Sequence, residues 1–188
     1  MIDSIRTLID LSKIEKFVRL ERVPTVVFQT FLSHLSKLKS LTLTSFVLDS
    51  LNAAVFQYSQ CLNTLHIVQF DDHYRYFVNV EPFCTMFPRI EHLDIPVDNL
   101  DSCQYVLDRL GDVLLSVIFR FPSSHDEDED DEPFDDSNEN EEDEDDDQHQ
   151  RHRNKYYERI QWARTIQQHH QYRIRDGNMY LWLEQTAH

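Results

Sequence analysis

A pattern of three apolar residues recurs along the chain at nearly constant spacing. Large apolar residues stand at the first, fourth and sixth positions of each copy, and the clear copies begin at Leu38, Leu62, Ile90 and Leu114. A weaker copy begins at Ile14, so successive copies start 24, 24, 28 and 24 residues apart. Such regular spacing is typical of a repeat in which every unit adds one strand and one return segment to a shared core.

The pattern also predicts which side chains point into that core. In a strand, neighbouring side chains point to opposite faces, so Leu41 and Leu43 should point inward while Thr42 between them points outward. Apolar residues at helical spacing predict return helices at 23–38, 48–60 and 100–111. The longer third connection should hold a short helix that Pro82 opens and Pro88 ends.

These motifs and intervals resemble the leucine-rich repeats of ribonuclease-inhibitor-like proteins, and most closely the repeats that follow an F-box in F-box/leucine-rich-repeat proteins. The resemblance covers about residues 2–121 and, with a weaker pattern, 151–185. It implies an α/β fold, a short leucine-rich-repeat solenoid with a parallel sheet on the concave side and helices on the convex side. One position departs from the family, because its usual Asn is replaced by Phe46, Phe70, Asp98 and Pro122. The turns after the strands must therefore satisfy their backbone groups in another way.

The acidity of the chain is concentrated in one segment. Residues 126–147 contain 17 of the 34 acidic residues and neither Lys nor Arg, so the other 17 acids almost balance the 18 basic residues. We expect leucine-rich repeats at 1–121, a disordered acidic insertion at 122–150, and the last repeat helix with C-terminal capping strands at 151–188. Within the cap, Trp182 is interpreted as a side chain that fills the cap rather than one that stacks on a ligand.

Three interpretations of the acidic insertion stay open. It could attract basic proteins such as histones through residues 126–147, it could be a passive solubilising insertion, or it could pair loosely with the basic residues that follow it. The passive interpretation is favoured, because an insertion with almost no apolar residues cannot order itself.

No motif for catalysis or for cofactor binding is found. The chain has two glycines and lacks P-loop, dinucleotide-binding and zinc-protease motifs, so we expect no enzyme activity, no cofactor and no metal site. Three cysteines without paired spacing predict packed free thiols in a cytoplasmic or nuclear protein. No apolar run is long enough to cross a membrane. A basic cluster tethered beside a polyanion argues against nucleic acid as a partner.

The outward side chains of the strands form the candidate binding site for a protein partner. We assign to this concave face eight residues: Thr42, Thr44, Thr64, His66, His92, Asp94, Ser116 and Arg120. The resemblance implies a non-catalytic interaction module that recognises substrates for a ubiquitin ligase of the F-box type. An F-box is not found in the sequence, so binding to a ligase adaptor requires such a segment ahead of Met1. The alternative is an acidic histone or basic-protein chaperone resembling the acidic leucine-rich nuclear phosphoproteins.

Overall fold

A computed structural model describes six stretches of the chain. They are residues 10–18, 24–49, 61–69, 77–121, 144–166 and 170–183. Of the predicted helix at 48–60, Leu48 and Asp49 are described and are helical, and the rest lies outside the described residues together with most of the acidic insertion.

The described residues form seven strands and the helices that connect them. The strands are β1 (Lys16–Val18), β2 (Ser40–Thr44), β3 (Thr64–Val68), β4 (His92–Pro96), β5 (Ser116–Arg120), β6 (His170–Arg175) and β7 (Asn178–Leu183). The helices are α1 (Thr25–Leu32), α2 (Ser45–Asp49), α3 (Val80–Met86), α4 (Leu100–Leu110) and α5 (Glu144–Ile166), and Leu11–Lys13 form a single turn of 3-10 helix.

All seven strands belong to one sheet in the order β1-β2-β3-β4-β5-β7-β6. The first five strands are parallel and pair without any offset between copies of the motif, so that Leu41 lies beside Leu65, Leu65 beside Leu93, and Leu93 beside Val117. The predicted strand register is therefore confirmed. The α/β fold class is confirmed as well, with a sheet that is mostly parallel.

A backbone contact repeats where each parallel strand begins. The carbonyl oxygen of Glu15 accepts hydrogen bonds from the N–H groups of Lys39 and Ser40, and that of Lys39 accepts from Asn63 and Thr64. The carbonyls of Asn63 and Glu91 each accept two bonds from the next strand start in the same way. Backbone groups thus fix each strand start to its neighbour. At two of these starts a side-chain contact adds to them, from Lys39 to Glu15 and from Asn63 to Glu91.

The helices begin and end largely where local sequence rules place them. Pro82 lies in the first turn of α3, where its missing N–H removes no helical hydrogen bond, and Pro88 follows the helix end. In α4, the Asn99 side chain accepts a hydrogen bond from the Ser102 backbone N–H at 2.8 Å and so caps the helix. The helix α1 is shorter than predicted, since it ends at Leu32 and turns carry the chain to β2.

The C-terminal part of the sheet is an antiparallel hairpin. The strands β6 and β7 are joined by Asp176 and Gly177, both with positive φ, as a tight two-residue turn requires. Preceding them, α5 begins at Glu144, which corrects the predicted start of this helix at residue 151. Acidic residues in a first helical turn are favoured by the helix dipole, so the end of the acidic run can be helical.

One side of the sheet carries the core. Leu41, Leu65 and Ile95 of the strands are fully buried together with Phe83 of α3 and Val106 of α4. Ala163 of α5 joins the same cluster, and Trp162 packs against it with its ring edge toward Phe119. The helices therefore cover one face of the sheet. Within the described stretches, no helix has the length and apolar character needed to cross a membrane.

Candidate functional site

Seven of the eight predicted site residues lie on the sheet face opposite the helices, and Thr44, the last residue of β2, is the exception. This polar face also includes the outward residues of the hairpin, and adjacent strands continue its rows across the sheet. One row consists of Val18, Thr42, His66, Asp94, Ile118, Tyr180 and Arg173, and the row beside it consists of Lys16, Ser40, Thr64, His92, Ser116, Trp182 and Gln171. Six steps of about 4.8 Å between strands make the face roughly 29 Å wide.

An ion pair occupies the centre of the polar face. The Arg120 guanidinium donates to both carboxylate oxygens of Asp94, from Nε to Oδ1 at 2.6 Å and from Nη2 to Oδ2 at 2.7 Å. The Nδ1 atom of His66 lies 3.6 Å from Oδ2 of the same carboxylate. The Asp94 side chain is only 7% exposed, whereas that of Arg120 is 43% exposed. Its hydrogen bonds to Asp94 raise the pKa of Arg120 above the ordinary value, so the guanidinium stays charged.

This geometry divides the roles of the predicted residues. Asp94 is too deeply covered to meet a partner directly and instead fixes the Arg120 side chain in a bidentate pair. Arg120 and His66 keep exposed surface that a partner can contact. The sequence analysis placed these three residues on one face but did not show that they form one cluster.

A second polar contact crosses from β4 to β5. Nδ1 of His92 and Oγ of Ser116 lie 2.9 Å apart and share a hydrogen bond. Nucleophilic catalysis by such a pair would use a third group to orient the histidine. Asp94, the carboxylate that lies on the described part of this face, is already bound to Arg120 and lies beside His66. The contact therefore fixes the relative orientation of two partly exposed polar side chains.

The three predicted threonines differ in availability, and Thr42 is partly exposed. Thr64 is partly exposed, and its hydroxyl donates to Oδ1 of Asn63 at 3.1 Å. Thr44 is 7% exposed, and its hydroxyl accepts a hydrogen bond from the Val47 backbone N–H at the start of α2. Thr44 is thus a helix cap that a partner can hardly reach, which corrects its assignment to the binding surface.

The hairpin extends the polar face beyond the eight predicted residues. Trp182 lies beside Ser116 and is 46% exposed, so it does not fill the interior of the cap as the sequence analysis interpreted it. Tyr180 lies beside Ile118, and Arg173 lies beside Tyr180 on the next strand. The alternation of β7 could have revealed this arrangement, because Met179, Leu181 and Leu183 fill the core side and leave Tyr180 and Trp182 outward.

The cysteines lie away from the polar face and differ among themselves. Burial raises the pKa of the Cys84 thiol to about 11 and raises the pKa of Cys103 further above its ordinary range. Both therefore remain neutral thiols, as the packing interpretation predicts. Cys61 is exposed, so the prediction that all three cysteines are packed is wrong for this residue. Among the described residues, no group of three or more His, Cys, Asp or Glu side chains could hold a metal ion.

No protein-family model matches the chain, and no curated protein or solved structure matches it either. The chain is therefore defined by its own architecture: an α/β protein with one mostly parallel sheet, covered by helices on one side and polar on the other.

Proposed function

We propose that the chain is a leucine-rich-repeat solenoid whose polar face binds a protein partner without catalysis. The observation that supports this most strongly is the register: five strands pair in phase at the intervals of the motif, which aligns unlike polar side chains in straight rows. Interactions between neighbouring copies of one repeating unit create this kind of extended face in solenoid proteins.

The composition of the polar face suits a protein rather than a small molecule. Its centre contains an arginine fixed by a buried carboxylate, and its hairpin end contains Tyr180 and Trp182. Arginine and aromatic side chains are the residue types that most often dominate binding energy in protein interfaces. A small ligand would require a concave, mostly apolar pocket instead. The proposed binding residues are thus Thr42, Thr64, His66, His92, Ser116, Arg120, Tyr180 and Trp182.

Within this function we propose substrate recognition for a ubiquitin ligase of the F-box type as the biological role. The proposal rests on the resemblance of the repeat spacing to the repeats that follow an F-box. It requires an F-box upstream of residue 1 in the gene product. Sequencing of the native transcript tests this requirement, since a reading frame that extends upstream into a three-helix F-box supports the role and a stop codon there contradicts it.

A paired set of variants tests binding by the polar face. The face variant combines His66→Ala, His92→Ala and Trp182→Ala, which remove partly exposed side chains and leave the Asp94–Arg120 pair intact. The control variant is Arg164→Glu, an exposed position on α5. We expect both variants to fold, and only the face variant to lose the principal partner that the parent chain captures from its source cell. A partner list unchanged by the face variant contradicts the proposal.

A second candidate function is the histone chaperone, and the observation that favours it is the charge of the acidic run. Residues 126–147 with 17 acids would attract basic proteins strongly at low salt. This alternative predicts that core histones bind the parent chain, that salt weakens the binding steeply, and that removal of the acidic run abolishes it. The interaction module requires none of these results.

A further inference from the structure

The strand β6 lies at the end of the sheet, and the orientation of its backbone follows from one hydrogen bond. The Leu183 backbone N–H donates to the Leu115 carbonyl at 3.0 Å. The backbone N–H and carbonyl of Leu183 in β7 therefore point toward β5. The backbone N–H and carbonyl groups of successive residues point to opposite sides of a strand. Those of Tyr180 and Trp182 therefore point toward β6. Their partners across the hairpin are Arg173 and Gln171, which therefore turn their own backbone groups toward β7.

The backbone groups of Tyr172 and Ile174 must then point away from the sheet. The tight turn at Asp176 and Gly177 agrees with this assignment, because such a turn closes with a hydrogen-bonded pair, here Arg175 and Asn178. Within the described part of the chain, no strand lies beyond β6. The outer edge of β6 thus presents two N–H groups and two carbonyls ready for another strand.

The side chains of β6 give this edge a distinct chemistry on each face. Gln171, Arg173 and Arg175 are exposed on the polar face. Arg175 pairs with Asp176 at 3.1 Å, whereas Arg173 forms no ion pair with any described residue. On the opposite face, Tyr172 and Ile174 are half-buried against the rim of the core. The edge is therefore basic on one side and apolar on the other.

We propose that the outer edge of β6 binds an extended segment of another protein, in which acidic residues alternate with β-branched apolar residues. The segment adds an eighth strand to the sheet. Its carboxylates lie beside Arg173 and Arg175, and its apolar side chains cover Tyr172 and Ile174. This site lies at the sheet edge, so it does not depend on partner binding by the centre of the polar face.

The acidic run of this chain is a poor candidate for the same edge. Residues 126–147 contain Pro133 and Phe134 as their only nonpolar members, and therefore cannot supply alternating apolar side chains. Their attraction to Arg173 is purely electrostatic and is screened at physiological salt. Backbone hydrogen bonds and apolar burial, which only a strand-forming segment provides, are much less sensitive to salt.

The test uses the full chain and three fluorescein-labelled octapeptides, measured by fluorescence anisotropy at physiological salt. The first probe alternates Glu and Val, the second alternates Lys and Val, and the third is the Glu-Val probe methylated on the backbone nitrogens of its valines. Of these three probes, we expect saturable binding of the first alone. In an antiparallel added strand the valine N–H groups face β6, so methylation there removes the hydrogen bonds and leaves charge and side chains unchanged.

A fourth probe carries the methyl groups on its glutamates and serves as the matched control. Loss of binding by one methylated probe and retention by the other supports strand addition and gives its direction: valine methylation blocks an antiparallel strand and glutamate methylation a parallel one. Equal affinity of both methylated probes and the unmodified probe overturns the proposal.

Two protein variants test the charge requirement. Arg173→Glu should lower the affinity for the Glu-Val probe by roughly tenfold, because it replaces electrostatic attraction with repulsion at the edge. Arg164→Glu changes the same charge on the exposed surface of α5 and should leave the affinity unchanged. Equal losses in the two variants would show a response to net charge only and would overturn the proposal.

Two further results would identify a different occupant of the edge. Binding of the Glu-Val probe only after deletion of residues 126–143 would assign the edge to the chain's own acidic run. A dimer that sedimentation detects in the parent chain and that the probe dissociates would assign the edge to a second copy. Either result overturns the proposal of a separate partner protein.

Discussion

Adjacent residues of one strand meet opposite environments on the two faces of the sheet. Leu65 of β3 is fully buried under the helices, whereas the side chain of its neighbour His66 is 40% exposed on the polar face. The same contrast separates Leu93 from His92 on β4 and Val117 from Ser116 on β5. The apolar face repeats one chemical type along every row, while the polar face varies from strand to strand.

This difference shows what each face contributes. A core requires apolar volume at every position, so that its residues are limited to a few types and create a recognisable repeat. A surface that binds a partner has no such uniform requirement, because the residue types that it needs depend on the chemistry of the partner. Asp94 is a charged residue that is buried on the polar face, and its pair with Arg120 stabilises it there.

The largest expected effect is on the buried face. Leu65→Asp places an unpaired charge in the core and should lower the free energy of unfolding by about 3–5 kcal/mol, enough to unfold many small domains. Thr42→Asp, on the partly exposed side of β2, should change it by less than about 1 kcal/mol. Thermal unfolding followed by circular dichroism compares the two variants. Equal midpoints would show that the faces have been assigned wrongly.

A smaller effect is expected from the ion pair on the polar face. Arg120→Ala leaves the covered Asp94 carboxylate without its bidentate donor and should destabilise the protein by about 1–3 kcal/mol. The double variant with Asp94→Ala removes both charges and should recover part of that loss. A double-mutant cycle in urea measures the coupling between the two residues. Strictly additive losses would mean that the pair contributes nothing as a unit.

Most of the parallel sheet could be predicted from the sequence because its core repeats. The motif starts at Leu38, Leu62, Ile90 and Leu114 gave the order of the strands and the register between them. The end of α1 at Leu32 could not be predicted in this way, because Leu35 and Leu38 continue its helical spacing yet are buried in turns. Periodicity reports which side chains are buried and does not distinguish a last helical turn from a turn that buries the same residues.

The candidate site was predictable in its location and less so in its contacts. Alternation placed His66, Asp94 and Arg120 on one face, but their clustering depends on long side chains that reach across strands. Thr44 follows the strand pattern and was predicted to point outward, whereas in the structure it caps α2. The helix start at Ser45 decides its role, and the motif carries no signal for that start.

A third prediction compares the sheet with the acidic run. Deletion of residues 126–143 removes 13 acidic residues ahead of α5 and should leave the thermal midpoint equal or slightly higher, by the equivalent of about 0.5 kcal/mol, because self-repulsion decreases. The gain should shrink as salt is added. A clear loss of stability on deletion would show that the run contributes to the folded structure.

The smallest expected effect concerns the chemical reactivity of the three thiols. At pH 8, iodoacetamide should modify Cys61 and leave Cys84 and Cys103 unmodified in the folded chain. Burial disfavours the thiolate, so that Cys84 should react only as the pH approaches its raised pKa of about 11 or as the chain unfolds. Mass spectrometry of tryptic peptides locates the adducts. Modification of Cys103 at pH 8 without loss of fold would contradict its burial.

Binding of the principal partner to two altered chains tests the central proposal most directly. One chain carries the face variant of His66, His92 and Trp182, and the other lacks residues 126–143. Isothermal titration at physiological salt should find a loss of at least about tenfold in affinity for the face variant, equivalent to 1.4 kcal/mol or more, and an affinity within about twofold of the parent for the deletion. The reverse result, with full affinity in the face variant and none in the deletion, would contradict binding by the polar face and favour the acidic run as the functional element.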